Sequence, residues 1–452
     1  MKRLLSFLII LFCILIITAC SGKKIVKDSD KSSHWDSLED IRKFPQDLMA
    51  YAKLQKQDTP LIDQKIQLRE DEYYMRVFFG PWNMKKASQK KRAISSLFKK
   101  ARGYKIGGAA WQQREWNLML QNANLKTYPS KLQPAITIYN TNLREIPTHE
   151  YRFSEPTNDI NENPFDLFQY SILHAGMPVM IVHTSNDGLW HYVECPIAGG
   201  WVAASDLAYV DESFMEKWKN NKFVAITKDN VQLDGIAMSM KNQGNIGMIL
   251  PTVGEDKKTW QVLLPISGSG NKAEIKQISL PKNVAQLKPI VLTPKNAATI
   301  GNVMMGQRYG WGGTLGLRDC SALTRDMLAP FGIWIGRNSS VQAKTGLVIN
   351  LDGLLGSEKE KIVLNQGIPF LSLVGLKGHI TMYVGPYKGR PAIFHNIWGL
   401  RTVDGSNTNS RFVIGRAVVT SLTPGLDIEN LYREKTFVDR LRSLSTPIRA
   451  IE

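Results

Sequence analysis

The sequence predicts a multi-domain α+β chain: a mainly helical N-terminal region, two small β-barrels and a C-terminal mixed domain that carries the reactive side chains. Three observations predict it. With 452 residues and 43% hydrophobic content, the chain has room for roughly two to four ordinary folded modules. Near Pro134 the texture changes from helical spacing to short alternating segments separated by turn signals. Further on, Asp319-Cys320 opens an apolar helical pattern, and a hairpin pattern bearing two histidines follows it. The boundaries that result are 1–20 for a leader ending in cysteine, 21–33 for a tether and 34–130 for the helical region. The barrels take 131–211 and 222–290, and the C-terminal domain takes 291–452.

Lys2 and Arg3 precede an apolar run over 4–18, which ends in Ile17-Thr18-Ala19-Cys20-Ser21. The run is short for a membrane span of about 20 residues, and it has the charged, apolar, small-residue order of an export signal. An uncleaved anchor helix is the alternative. The last residues resemble the lipobox of bacterial lipoproteins, which implies that Cys20 is lipidated and becomes the first residue of the mature chain. Ser21, rather than an aspartate, resembles the sorting choice of Gram-negative outer-membrane lipoproteins. The expected address is therefore the periplasmic face of the outer membrane, reached through an N-terminal lipid anchor, with the polar stretch 23–33 as its tether.

The formal charge is +17, and loss of Lys2 and Arg3 with the leader gives 17 − 2 = +15. Such a balance suits nucleic acid, but an exported protein meets little of it; anionic lipid head groups and the carboxylates of the cell wall are the partners at hand. Four cysteines occur, Cys13, Cys20, Cys195 and Cys320. The first leaves with the leader and the second takes the lipid, so no disulfide framework remains. Cys195 reads as a small buried strand residue.

In the helical region Ile94, Leu97, Phe98 and Ala101 fall at i, i+3, i+4 and i+7, and lysines and an arginine cover much of the remaining circumference. Trp111 and Trp116 read as packing anchors. β-like segments follow over 135–139, 179–183, 190–195 and 201–203, and again over 223–226, 245–250 and 260–264. The two blocks share an echo. Trp190 leads to Pro196-Ile197-Ala198-Gly199, and Trp260 leads to Pro265-Ile266-Ser267-Gly268, a spacing that suggests two related modules.

The reactive stretch is Tyr309-Gly310-Trp311-Gly312-Gly313-Thr314, then Asp319-Cys320-Ser321. An N-cap aspartate before Cys320, with Leu323, Met327 and Leu328 at helical spacing, places a thiol in the first turn of a buried helix. There the free N–H groups and the dipole favour thiolate. A nucleophile needs a base, and Gly378-His379-Ile380-Thr381-Met382-Tyr383-Val384-Gly385 alternates as a strand before Pro386-Tyr387-Lys388-Gly389 and a second strand with His395. If Val384 pairs with Arg390 across a five-residue loop, His379 stands directly opposite His395; a slip of one residue would put them on opposite faces. Zinc bound by Cys320, His379 and His395 is a rival, but it lacks close ligand spacing, so neither metal nor cofactor is expected.

Taken together, Tyr309-x-Trp311-Gly312-Gly313, Asp319-Cys320-Ser321, Arg337-Asn338-Ser339-Ser340-Val341-Gln342, the His379 strand and His395 resemble the NlpC/P60 cysteine peptidases over roughly residues 296–420. Ala322 and Thr381 stand where that family commonly has glycine. Asn142 to Thr148, Pro164 to Gln169 and Gly200-Trp201-Val202 resemble the bacterial SH3-like domain that precedes some cell-wall peptidases. The resemblance implies a papain-like catalytic domain behind two SH3-like barrels, acting on peptidoglycan stem peptides between the γ-carboxyl of D-glutamate and the diamino acid. It implies Cys320 as nucleophile, His379 as base and His395 as the residue that orients it. Tyr309 is then an oxyanion donor, and Asp319, Ser321, Trp311 and Arg337 are substrate contacts. Two other readings are an N-acetylmuramoyl-L-alanine amidase or acyl transferase on the same fold, and a non-catalytic peptidoglycan-binding lipoprotein.

Overall fold

The computed structural model describes residues 34–99, 102–233, 240–405 and 407–449. The expected leader with Cys13 and Cys20, and the tether, lie outside them. Among the described residues no helix is long and apolar enough to cross a membrane.

The helices of the N-terminal region are short and one-faced, so each buries its apolar side on a different neighbour. Leu38 and Ile41 join the C-terminal domain's core beside Tyr383 and Ile393, and Leu48, Tyr51 and Ala52 join it beside Met327 and Ile380. The helix Gln64–Phe78 instead lays Tyr74 and Phe78 between the two barrels. Buried Gln67 in that helix donates to the carbonyls of Ile290 and Phe331 at 2.6 and 3.0 Å. The basic helix Lys91–Leu97 turns Ile94 and Phe98 onto Trp111, Trp116 and Phe168 of the first barrel. Its apolar face is thus a packing face, and the two tryptophans are the anchors expected.

The first barrel is a seven-stranded antiparallel sheet running from Gln133–Thr137 to Leu207–Tyr209. Its motif segments meet in space: Arg144 donates from Nη1 to Asp166 at 2.6 Å, both side chains being buried. The second block is a five-stranded sheet beside a two-stranded one. The two Pro-Ile segments of the expected echo occupy different places in their blocks. Pro196 to Ala198 form a bend between strands, whereas Pro265 and Ile266 lie inside the strand Thr259–Ser267. Cys195 lies just beyond the strand Trp190–Glu194 and donates its Sγ–H to the Ala198 carbonyl at 3.0 Å. Burial pushes that thiol up to about 11.

The C-terminal domain packs the helices Pro294–Met304 and Cys320–Leu328 against a six-stranded antiparallel sheet. Its central hairpin joins His379–Tyr387 to Arg390–Asp404, and here the register differs from expectation. The turn is only Lys388-Gly389, both at positive φ, which suits the twist of a two-residue hairpin. Tyr387 pairs with Arg390 and Gly385 with Ala392, but beyond Val384 the register steps by one, so that Tyr383 pairs with Ile393 and Met382 with Phe394. Carried on, that offset sets Thr381, not His379, opposite His395. The two histidines are therefore diagonal neighbours on one face. Without the extra residue His395 would share the face of Met382, away from His379.

Two contacts lock the barrels to the reactive loop. A Cβ on Gly312 would meet the Gln169 carbonyl oxygen at 2.6 Å, and one on Gly313 would meet Ile172 at 2.5 Å, so only glycine lets the first barrel approach. Arg318, just before the nucleophile helix, donates to Asp229 of the second barrel and to Asp326 of the helix, each at 2.7 Å and all buried.

Candidate active site

Cys320 is the first residue of its helix and only 6% exposed. Asp319 caps that helix through its side chain, accepting from Ala322 N–H at 2.8 Å. Backbone N–H groups of Ser321 and Ile380 point at the sulfur, which sets it against the strand residue next to His379. These donors favour thiolate, as expected from the helix start. Burial opposes them and wins: with the adjacent Asp319 charge, it pushes the thiol up to about 12. His379 is pulled the other way, to about 3, by burial and then by the Arg440 guanidinium. Burial thus works against the ion pair that the helix start favours, raising the thiol and lowering the imidazole.

Hydrogen bonds set which nitrogen of His379 is bare. His379 Nε2 lies 2.8 Å from His395 Nδ1, and His395 Nε2 lies 3.1 Å from Thr420 Oγ1. Thr420 spends its only proton on the Ser421 carbonyl at 2.9 Å, so it accepts from His395 Nε2–H. His395 Nδ1 is then unprotonated and accepts from His379 Nε2–H. What remains on His379 is an unprotonated Nδ1, the form a base needs. Ser421 in turn donates its N–H and Oγ–H to Asp40 Oδ2 at 2.7 and 2.8 Å, so the N-terminal region holds the far end of the chain of bonds. Thr420, Ser421 and Asp40 escape sequence reasoning. No motif marks them, and only the strand pairing that sets His395 beside Val418 and leads into Thr420 brings them close.

The other expected site residues line the cleft beside the thiol. Arg337 grips Asp319 with two nitrogens, Nη1 to Oδ1 at 3.0 Å and Nη2 to Oδ2 at 2.7 Å, and donates to Ser321 Oγ and to Ser171 Oγ of the first barrel. Although burial alone would raise it, this arginine holds Asp319 below the usual carboxylate range. Ser321 Oγ–H and Gly312 N–H also donate to Asp319. Its roughly four lone-pair sites are therefore taken, and a substrate amine can reach it only by displacing one of these donors. Tyr309 is buried with its phenol raised, first by burial and then by the neighbouring thiol. Its ring and that of Trp311 stand 5.9 and 5.4 Å from Phe165 of the first barrel.

Two arms of a cleft meet here. One, about 500 Å³, is lined by Asp319, Cys320, Ser321 and Arg337, with Arg152 and Gln169 from the first barrel. The other, about 790 Å³, starts at His379 and runs along Trp398, Arg401 and Arg440. Tyr309, Trp311 and Gly378 border both. Cys320 lines the first arm and His379 the second, so a chain that spans their shared border lies with one part beside the sulfur and the other beside the imidazole.

Residues 306–416 match the NlpC/P60 family. Residues 9–128 match the NLPC_P60 stabilising domain, N term, residues 152–203 an SH3 domain of SH3b1 type and residues 211–257 an SH3 domain of SH3b2 type. Over 190 residues the chain is 28% identical to a gamma-D-glutamyl-L-lysine dipeptidyl-peptidase of Bacillus cereus, a stretch that covers 41% of this chain and 54% of that protein. The match thus spans about half of that relative's length. The structure of an NlpC/P60 endopeptidase from Photobacterium damselae subsp. piscicida is similar in fold, with a TM-score of 0.80 and 23% identity over 91% of this chain and 98% of that one. An NlpC/P60 family protein from Bacillus cereus aligns with a TM-score of 0.45 and 18% identity over 70% of this chain and 99% of that one.

Proposed function

We propose, for a chain that belongs to the NlpC/P60 family and carries its peptidase domain over residues 306–416, that it is a cell-wall cysteine endopeptidase cutting between the γ-carboxyl of D-glutamate and the diamino acid of peptidoglycan stem peptides. The observation that supports this reading best is the one-way series of hydrogen bonds from Thr420 through His395 to His379, which leaves Nδ1 unprotonated on the residue next to Ile380, whose backbone N–H interacts with the Cys320 sulfur. The name of the Bacillus cereus relative, a γ-D-glutamyl dipeptidyl-peptidase, supports the choice of bond.

In this mechanism His379 Nδ1 takes the Cys320 proton as sulfur attacks the γ-carbonyl, so the two charges appear together and shield each other. Backbone N–H groups at the helix start, with the Tyr309 hydroxyl, hold the oxyanion. The proton on Nδ1 then passes to the leaving amine as the C–N bond breaks. Water, deprotonated by the same nitrogen, attacks the thioester and restores the thiol. His395 keeps the ring and tautomer of His379 fixed throughout. Asp319, Ser321, Arg337 and Trp311 shape the arm that receives the glutamyl half. Under the same reading Cys20 carries the lipid and the enzyme works from the envelope membrane.

The test is mass spectrometry of defined muropeptides after incubation with the mature protein and with Cys320→Ala. Fragments ending in D-glutamate that disappear with the variant support the reading. Uncut muropeptides in both samples, or cleavage at the N-acetylmuramoyl-L-alanine bond, sink it.

A further inference from the structure

The arm that begins at His379 is built to hold negative charge. Six basic side chains line it, against two acids, Glu434 and Asp439. Both acids are engaged locally, Glu434 by the Tyr432 hydroxyl and Asp439 by Thr436 N–H and Oγ–H. Among the bases, Arg401 and Arg411 are direct cross-strand partners, an arrangement that places like charges opposite one another and works against the sheet. Arg440 joins them, and its Nη2 donates to the Lys377 carbonyl at 3.1 Å, two residues before the base. Arg411 likewise donates to a backbone carbonyl, that of Ser410. Burial, then the neighbouring arginines, pull the guanidinium groups of both Arg411 and Arg440 below their ordinary range. A fold keeps such a cluster at a cost that an incoming anion relieves.

The mechanism says which half of the substrate arrives there. His379 hands its proton to the leaving amine, so the leaving half lies on the His379 side of the sulfur, in this arm. We propose that Arg401, Arg411 and Arg440 form a carboxylate subsite for the leaving half of the substrate, taking either the second carboxylate of a dicarboxylic diamino acid or the C-terminal carboxylate of a short stem peptide. The inference rests on the proposed γ-glutamyl cleavage for its choice of substrate. It goes beyond that cleavage by naming a group on the far side of the bond.

Binding separates the subsite from the chemistry. The probes are four tripeptides, L-Ala-γ-D-Glu followed by meso-diaminopimelate, its C-terminal amide, L-lysine or L-lysine amide, titrated calorimetrically into the full mature chain carrying Cys320→Ala. Removal of the carboxylate that the subsite holds is expected to weaken Kd by about tenfold and removal of the other to change it little, and Arg411→Gln with Arg440→Gln should flatten the series while Arg411→Lys with Arg440→Lys preserves most of it. A gap between the diaminopimelate and lysine acids identifies the side-chain carboxylate as the ligand; a gap between each acid and its amide identifies the C-terminus. Equal affinity for all four peptides, or an unchanged series in the glutamine variant, overturns the subsite. Cleavage of the same peptides by the protein with Cys320 intact is scored separately. Graded binding without cleavage leaves the subsite standing and refutes the γ-glutamyl reading, whereas cleavage without graded binding does the reverse.

Discussion

His379 Nε2 and His395 Nδ1 lie 2.8 Å apart although the two residues are not opposite one another in their hairpin. The extra residue at Val384 makes this contact possible by shifting the register one step, which returns both rings to one face. Gly385 sits at φ +123° in that bulge, and Gln55 Nε2 from the N-terminal region donates to the Val384 carbonyl at 3.3 Å. The geometry of the base is thus held partly by a segment more than 300 positions away in the chain.

Replacing Gly385 by valine attacks the bulge directly. A β-branched residue at positive φ is strained by more than about 1 kcal/mol, and the register is expected to relax toward the unbulged pairing. We expect kcat to fall at least roughly tenfold with KM less affected, because the substrate arms are untouched while the base is misplaced. Steady-state kinetics with a muropeptide decide it, and an unchanged kcat in a folded protein contradicts the role given to the bulge.

Thr420 is expected to act as a positioning residue through its hydroxyl. Thr420→Val removes the acceptor for His395 Nε2–H and frees the His395–His379 pair to adopt the opposite tautomers. A loss of roughly 10²-fold in kcat is expected, with Thr420→Ser near the parent. Nitrogen chemical shifts of the two imidazoles report the tautomers directly. A valine variant with unaltered shifts would show that the hydroxyl fixes nothing.

The pH profile follows from the depressed base. With His379 held near 3, the acid limb of kcat/KM should lie well below the ordinary histidine value of 6.5. Arg440 is a cation that disfavours the protonated imidazole, so Arg440→Gln should move that limb to higher pH. Stability follows the same sign. A histidine whose folded pKa lies below its unfolded value contributes stability that is complete above about 6.5 and is lost as pH falls toward about 3. Denaturant titrations across that window, and a pH–rate profile of both proteins, check the two statements.

Arg318 is the fourth target. Truncation to alanine takes the cation from Asp229 and leaves Asp326 with Arg325 alone, and breaking such a buried pair costs about 3–5 kcal/mol. The thermal midpoint should drop by several degrees, with the second barrel loosened from the nucleophile helix. Retained stability would mean that the network is relaxed by groups other than this arginine.

Much of this architecture is legible in the residues. Asp319 before Cys320 announces a capped helix start because capping chemistry is local, and the change of period near Pro134 announces the barrels. A helical region, two SH3 domains and an NlpC/P60 domain follow one another as those patterns predict. The hairpin is legible as a hairpin, but not its register. A two-residue Lys388-Gly389 turn plus a bulge and a five-residue loop both put the histidines on one face, and nothing in the alternation distinguishes them. The surroundings of the thiol are half legible for a related reason. A helix start is visible in sequence, whereas the burial that opposes it depends on Met327, Ile380 and the N-terminal helices closing around Cys320. Asp40 and Thr420 belong to long-range contacts and carry no local signal at all.

Under the proposed function Cys320 attacks the γ-carbonyl of D-glutamate with His379 as its base. This attack is tested most directly by intact-mass measurement of acid-quenched protein after brief mixing with L-Ala-γ-D-Glu-diaminopimelate. A transient adduct of the L-Ala-D-Glu acyl group is expected, mapped to the peptide containing Cys320, absent in Cys320→Ala and slow to form in His379→Ala. Hydrolysis of the same peptide by Cys320→Ala at the parent rate, with no adduct on the parent protein, would contradict it.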